Sequence, residues 1–135
     1  MGFEKSLIVS AAGMKAQGDR LRVIAENLAN KDSAPKTAGG DPYRRKIVTF
    51  TNVLDRELNA SLVKADKVRT DDSEFPLKHD PSHPAANADG YVKLPNVNTL
   101  VELMDMREAQ RSYEANLNMI EVSKSMLART LDLLR

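Results

Sequence analysis

The sequence predicts a mainly α fold. Two long terminal helices pack as an antiparallel, coiled-coil-like hairpin, with a small β element and an extended loop inserted between them. Three observations carry this. Apolar residues recur at helical spacing at both ends of the chain, and prolines and glycines interrupt the middle. The apolar fraction is 41%, but aromatics make up only 4% and Trp is absent, so the apolar material is chiefly the Leu, Ile, Val, Met and Ala of helix–helix seams rather than a rounded core. The expected organisation is a first helix over 1–30, a loop and β-rich insert with a Pro-rich arm over 31–97, and a second helix over 98–135.

In the first helix Leu7, Met14, Leu21 and Leu28 recur every seven residues. Ala11, Gly18 and Ala25 form a second line of small residues on the same face, where a neighbouring helix would approach closely. Gly18 costs about 1 kcal/mol relative to Ala in a helix interior, and close approach is its compensation. The helix should run some 40 Å at ~1.5 Å per residue. Asn30 is expected to end it in a left-handed conformation, with Pro35 preventing resumption.

The last segment alternates steps of three and four through Leu103, Met106, Gln110, Tyr113, Leu117, Ile120, Lys124, Leu127, Leu131 and Leu134. Thr99 and Glu102 have the spacing of a capping box. Leu7, Met14, Leu21 and Leu28 are expected to pack on Met106, Tyr113, Leu117, Ile120 and Leu127, leaving Ile8 and Ile24 to face other subunits. Two narrow stripes this long exceed what one small monomer can cover, so self-association is expected.

Between the helices, residues 31–42 read as loop and Lys46–Thr51 as strand. Residues 53–63 are ambiguous, and Val63–Thr70 is a candidate partner strand. Four prolines between Asp71 and Asn98 predict an extended arm.

Composition removes several functions. Lys and Arg number 20 against 19 Asp and Glu, without the basic excess that nucleic-acid binding requires. Cys is absent, which excludes disulfides and thiolate metal sites. No uncharged run approaches the roughly 18 residues of a membrane span, so direct membrane insertion is not expected. Leu7–Gly13 after Lys5 has the outline of a signal-peptide core, but the helical spacing continues to Leu28, so no cleaved signal is expected.

No catalytic, cofactor or metal site is expected. His79 and His83 stand four apart, yet Pro81 and Pro84 exclude the helix that would align them as ligands. Arg44-Arg45-Lys46 beside Tyr43 reads as a solvated edge or a subunit contact, and Asp71-Asp72-Ser73-Glu74 as a solvated acidic run.

Ala25-Glu26-Asn27-Leu28-Ala29-Asn30 resembles the A-x-N-(I/L)-A-N signature near the start of bacterial flagellar rod and hook proteins. The stretched step from Thr37-Ala38-Gly39 to Tyr43 is similar to the proximal-rod branch of that family. So are Asp80-Pro81-Ser82-His83-Pro84, Asp89-Gly90-Tyr91-Val92, Pro95-Asn96-Val97-Asn98 and Arg111-Ser112-Tyr113-Glu114-Ala115-Asn116, followed by Ser123-Lys124-Ser125-Met126-Leu127.

The resemblance implies a structural subunit of a periplasmic tube that carries torque toward the hook. Its implied neighbours are FlgB, FlgF, FlgG and FliE, with export through the flagellar type III apparatus. The interface would comprise Leu7, Ala11, Met14, Gly18, Leu21, Ala25, Asn27, Leu28 and Asn30 on the first helix, and Met106, Tyr113, Leu117, Ile120, Leu127 and Leu131 on the last. The competing reading is a soluble helical-hairpin adaptor or chaperone-like module, a stable monomer or dimer with no flagellar neighbours.

Overall fold

The computed structural model describes residues 2–135. Its elements run α1 (Gly2–Ala29), β1 (Lys46–Asp55), β2 (Ala60–Thr70), β3 (Leu77–His79), β4 (Tyr91–Lys93) and α2 (Thr99–Leu133). The fold is mainly α with a small β component, as the terminal periodicities predict. Contacts divide the chain into two units. The first holds the N-terminal residues through Leu21, Val48–Lys67 and Met106–Arg135; the second holds Arg22–Ile47 and Val68–Asp105.

The stretch left open at 53–63 resolves into the end of β1, a turn and the start of β2, which pairs with β1 as a two-stranded sheet. Asp55 builds the turn: its Oδ1 accepts the backbone N–H groups of Glu57 (3.0 Å) and Leu58 (3.3 Å). Asn59 closes it at φ 50°, a left-handed conformation that Asn tolerates better than most residues.

The expected extended arm is instead folded back. Antiparallel β3 and β4 pair Leu77 with Lys93, Lys78 with Val92 and His79 with Tyr91. Pro81 and Pro84 occupy the turn between these short strands, and Pro76 and Pro95 flank them, outside the paired positions where a missing N–H would cost a ladder bond. Gly90 reverses the chain at φ 83°, and its N–H bonds to the Asn87 carbonyl (3.0 Å). The two histidines serve locally: His79 stacks edge-on against Tyr91, and His83 Nδ1 accepts the Ala85 N–H.

Burial is uneven. In the second unit Val23, Ile24, Asn27, Ala85, Val92, Pro95 and Glu102 are buried. In the first, the buried residues are small: Ser10, Ala16, Ala109 and Ser123. Ile24, expected to face another subunit, is only 4% exposed and belongs to the second unit's core.

Both helix ends differ from expectation. Asn30 is not left-handed; its Nδ2 donates to the Glu26 carbonyl (2.8 Å) and its Oδ1 accepts the Ser33 hydroxyl. At α2 the cap is Asn98, whose Oδ1 accepts the N–H groups of Leu100 (3.0 Å) and Val101 (3.4 Å). The Thr99–Glu102 capping box does not form, because the Glu102 side chain turns inward.

Candidate functional site

In the first unit α1 and α2 meet through small and polar residues. The hydroxyls of Ser6 and Ser123 share a hydrogen bond at 3.2 Å. Gly13 lies against the Asn116 amide, so close that a Cβ there would stand 2.7 Å from Nδ2. Arg20 reaches Glu108 at 3.6 Å. As the α1 number climbs by seven, its partner's number falls by seven or eight, which makes the helices antiparallel.

The line facing α2 is therefore one residue earlier than the expected Leu7, Met14, Leu21 series, whose members are half-buried at its border. Ala11 and Ala25 are exposed, and nothing lies within 4 Å of a Cβ placed on Gly18. On α2, Met106, Tyr113 and Ile120 are half-buried. Leu117 and Leu127 are each 39% exposed, and Leu131 is 54% exposed.

In the second unit the next seven-residue step on α1, Asn27, meets Glu102. Asn27 Oδ1 accepts from the Tyr43 hydroxyl (2.7 Å) and the Lys46 N–H (3.0 Å), while its Nδ2 donates to the Lys46 carbonyl (2.9 Å) and to Glu102 Oε2 (3.4 Å). By bonding both backbone groups of Lys46, this side chain stands in for a neighbouring strand and fixes the start of β1. Half-buried Leu28 and Asn30 finish the helix beside it.

Glu102 is fully buried, and Arg45 neutralises it through an Nε hydrogen bond. The same guanidinium reaches Asp71 (3.2 Å) and Asp105 (3.4 Å). Arg44 lies over the Phe75 ring, 4.2 Å from its centroid, and donates to the Asp71 carbonyl. Asn96 adds a bond from Nδ2 to that carbonyl (3.0 Å) and one from the Arg45 N–H to its own Oδ1 (2.7 Å). The basic cluster is thus consumed within the chain, and Asp71 with it.

Burial lowers the Arg45 pKa, but hydrogen bonds and charge from Glu102 and Asp71 outweigh it and hold the guanidinium above its ordinary value. Burial, then the charges of Glu26 and Glu102, raise the Tyr43 phenol. Asp71 is depressed, first by the Ser73 backbone N–H (2.9 Å), against some desolvation, and then by the Ser73 hydroxyl and Arg45.

A carboxylate with a lowered folded pKa adds stability that is complete above its unfolded value, about 3.9. That contribution fades as pH falls through the lower folded value. Asp71→Asn should therefore melt below wild type near pH 6, with the gap closing near pH 2. Thermal melts at both pH values check this.

Sequence reasoning missed this polar cluster except for Asn27. Its bonded partners stand up to 75 residues apart in the chain, and each alone reads as a solvated group. One signal was available: Glu102, Ala109, Asn116 and Ser123 form a seven-residue line of small and polar residues. Three of its members meet α1: Ser123 at Ser6, Asn116 at Gly13 and Glu102 at Asn27. Nothing in the arrangement brings a nucleophile, a base and an open cleft together.

The family profile described as "Flagellar basal body rod FlgEFG protein C-terminal" matches residues 88–133. The chain is 46% identical to the flagellar basal-body rod protein FlgC of Agrobacterium fabrum, over 94% of this chain and 91% of that one. It is 41% identical to FlgC of Bacillus subtilis, over 95% of each. With FlgC of Salmonella typhimurium the identity is 38%, over 93% of this chain and 92% of the relative. Likeness of this degree across nearly the whole length makes the chain a member of the FlgC family, a structural subunit of the flagellar basal-body rod.

Proposed function

We propose that this subunit polymerises through the outward faces of α1 and α2 and forms part of the torque-transmitting drive shaft, with no catalytic role. One observation carries the reading: the α1–α2 contacts of the first unit are small and polar, while many large apolar side chains of α2 stay exposed. Met119, Val122 and Met126 are about half exposed, and Leu117, Leu127 and Leu131 remain uncovered. Burying each Leu on assembly is worth about 1.5–3 kcal/mol, so a few such contacts per subunit make a stiff polymer.

In this reading the terminal helices form a coiled-coil-like core, with the insert between them as a separate part. The line of exposed Ala11, half-buried Gly18 and exposed Ala25 admits a helix from a neighbour, and the half-buried Leu7, Met14, Leu21 and Leu28 border it. The subunit sits in the periplasmic rod beside FlgB, FlgF, FlgG and FliE, after type III export without a cleaved signal. No described helix is long and apolar enough to cross a membrane. The adaptor reading is not favoured, since the relatives are rod proteins along nearly their whole length.

The test is an in-frame deletion in the source bacterium, with basal bodies viewed by electron microscopy. Loss of rod and hook, restored by the intact gene, is expected. Motile deletion cells with complete basal bodies would refute the structural role.

A further inference from the structure

Asp89–Gly90 is the one place in the chain where an aspartate or asparagine precedes glycine. Such a step carries a reaction of its own. The glycine backbone nitrogen attacks the aspartate Cγ; the nitrogen gives up its proton, the carboxyl gives up a hydroxyl, and the two leave as water. The product is a cyclic imide. Water then re-opens it at Cγ, restoring aspartate, or at the main-chain carbonyl, which reroutes the backbone through the side chain as isoaspartate. One water leaves and one returns, so no other reactant is needed. Glycine favours the reaction because no side chain shields its nitrogen.

The fold places this step immediately before β4. Asp89 is exposed, whereas Gly90 is buried. Asn87 closes the turn around them with four hydrogen bonds. Its N–H donates to the Tyr91 carbonyl (2.9 Å), and its own carbonyl accepts the Gly90 N–H (3.0 Å). Its Oδ1 accepts the N–H groups of Asp89 and Tyr91, each at 3.0 Å. From β3 the chain adds a further tie, since the Gly90 carbonyl accepts the Asp80 N–H (2.9 Å). Pro81 lies so near that a Cβ on Gly90 would stand 3.0 Å from its ring. The attacking nitrogen is thus turned toward the Asn87 carbonyl and cannot swing to the Asp89 Cγ unless the turn opens.

We infer that Asp89–Gly90 is the isomerisation site of this chain, a latent backbone modification, and that the Asn87 turn holds the reaction off. The imide forms only from the opened turn, so its rate falls with the opened fraction, as amide hydrogen exchange does. Isoaspartate would insert a methylene into the backbone beside the Asp80–Gly90 bond, and the adjoining pair of His79 with Tyr91 would lose its register. The inference stands apart from the rod reading and is tested on the purified chain.

Water enriched in heavy oxygen marks the reaction, because each passage through the imide leaves one heavy oxygen at Asp89. The full chain and a synthetic His79–Lys93 peptide, the segment that trypsin also releases from the chain, are incubated warm at neutral pH and followed by mass spectrometry. Label should collect at Asp89 ahead of every other aspartate. It should do so at least about tenfold more slowly in the folded chain than in the peptide. Asn87→Ala, shown to be folded by circular dichroism, should close most of that gap. Asn87→Asp keeps the accepting oxygen and should stay near the wild-type rate.

Equal rates in the folded chain and the peptide overturn the protection, a comparison that needs no variant. Faster labelling at another aspartate overturns the site. A folded Asn87→Ala chain that labels at the wild-type rate overturns the part given to Asn87.

Discussion

Arg45→Met should destabilise the purified chain by about 3–5 kcal/mol, the usual cost of leaving one member of a buried ion pair without its partner. Glu102 is the group left behind. Its carboxylate is fully buried, and Asn27 supplies only one further hydrogen bond to it. The Arg45 side chain is itself 20% exposed, so solvent screening does not rescue the pair. A loss of this size approaches the whole stability of a small domain, about 5–15 kcal/mol.

The double variant Arg45→Met/Glu102→Leu removes both charges and should recover much of the loss. Urea titrations of the four proteins in the cycle measure the coupling. A loss below about 1 kcal/mol for Arg45→Met, or no recovery in the double variant, would show that Glu102 is solvated after all.

The second large effect is on assembly. Leu117→Asp should abolish rod incorporation and motility while leaving the chain folded. Leu117 is 39% exposed, so the carboxylate keeps its water in the monomer and loses it only when a neighbour covers the helix. Unpaired burial of that charge exceeds what a few leucine contacts supply. Asp72→Ala, at an exposed loop position, should be silent and serves as the control. Soft-agar swimming and electron microscopy of basal bodies give the readout. Normal motility with Leu117→Asp would remove this face from the interface.

Both effects bear on how far the sequence could be read. The helices were legible, because runs of three-and-four spacing at each end leave no other regular structure available. Which face each helix turns inward was not. The rule that apolar residues point in holds when one chain must hide its own surface. Here the richest apolar lines, through Leu103, Leu117 and Leu131, lie outside the covered face, and Ser6, Gly13, Asn116 and Ser123 sit within it. That one-residue rotation separates the observed seam from the one the apolar spacing predicts.

The polar cluster stayed hidden for a related reason. Arg45 and Asp71 look like ordinary surface charges until tertiary structure sets Arg45 against both Asp71 and the buried Glu102. Strands β3 and β4 were too short, at three residues each, to give a period. The turns between them were signalled by proline and glycine, but the pairing was not.

The contact between Gly13 and Asn116 has a mechanical consequence. A smooth leucine seam resists separation but lets one helix creep along the other, since each leucine finds an equivalent neighbour one heptad away. In the first unit a seven-residue creep would set Gly13 beside Ala109 and Ser6 beside the Asn116 amide, breaking the serine pair and leaving no glycine to receive the amide. The notch at Gly13 therefore acts as a keyway: load along the helix axis meets a stop as well as friction.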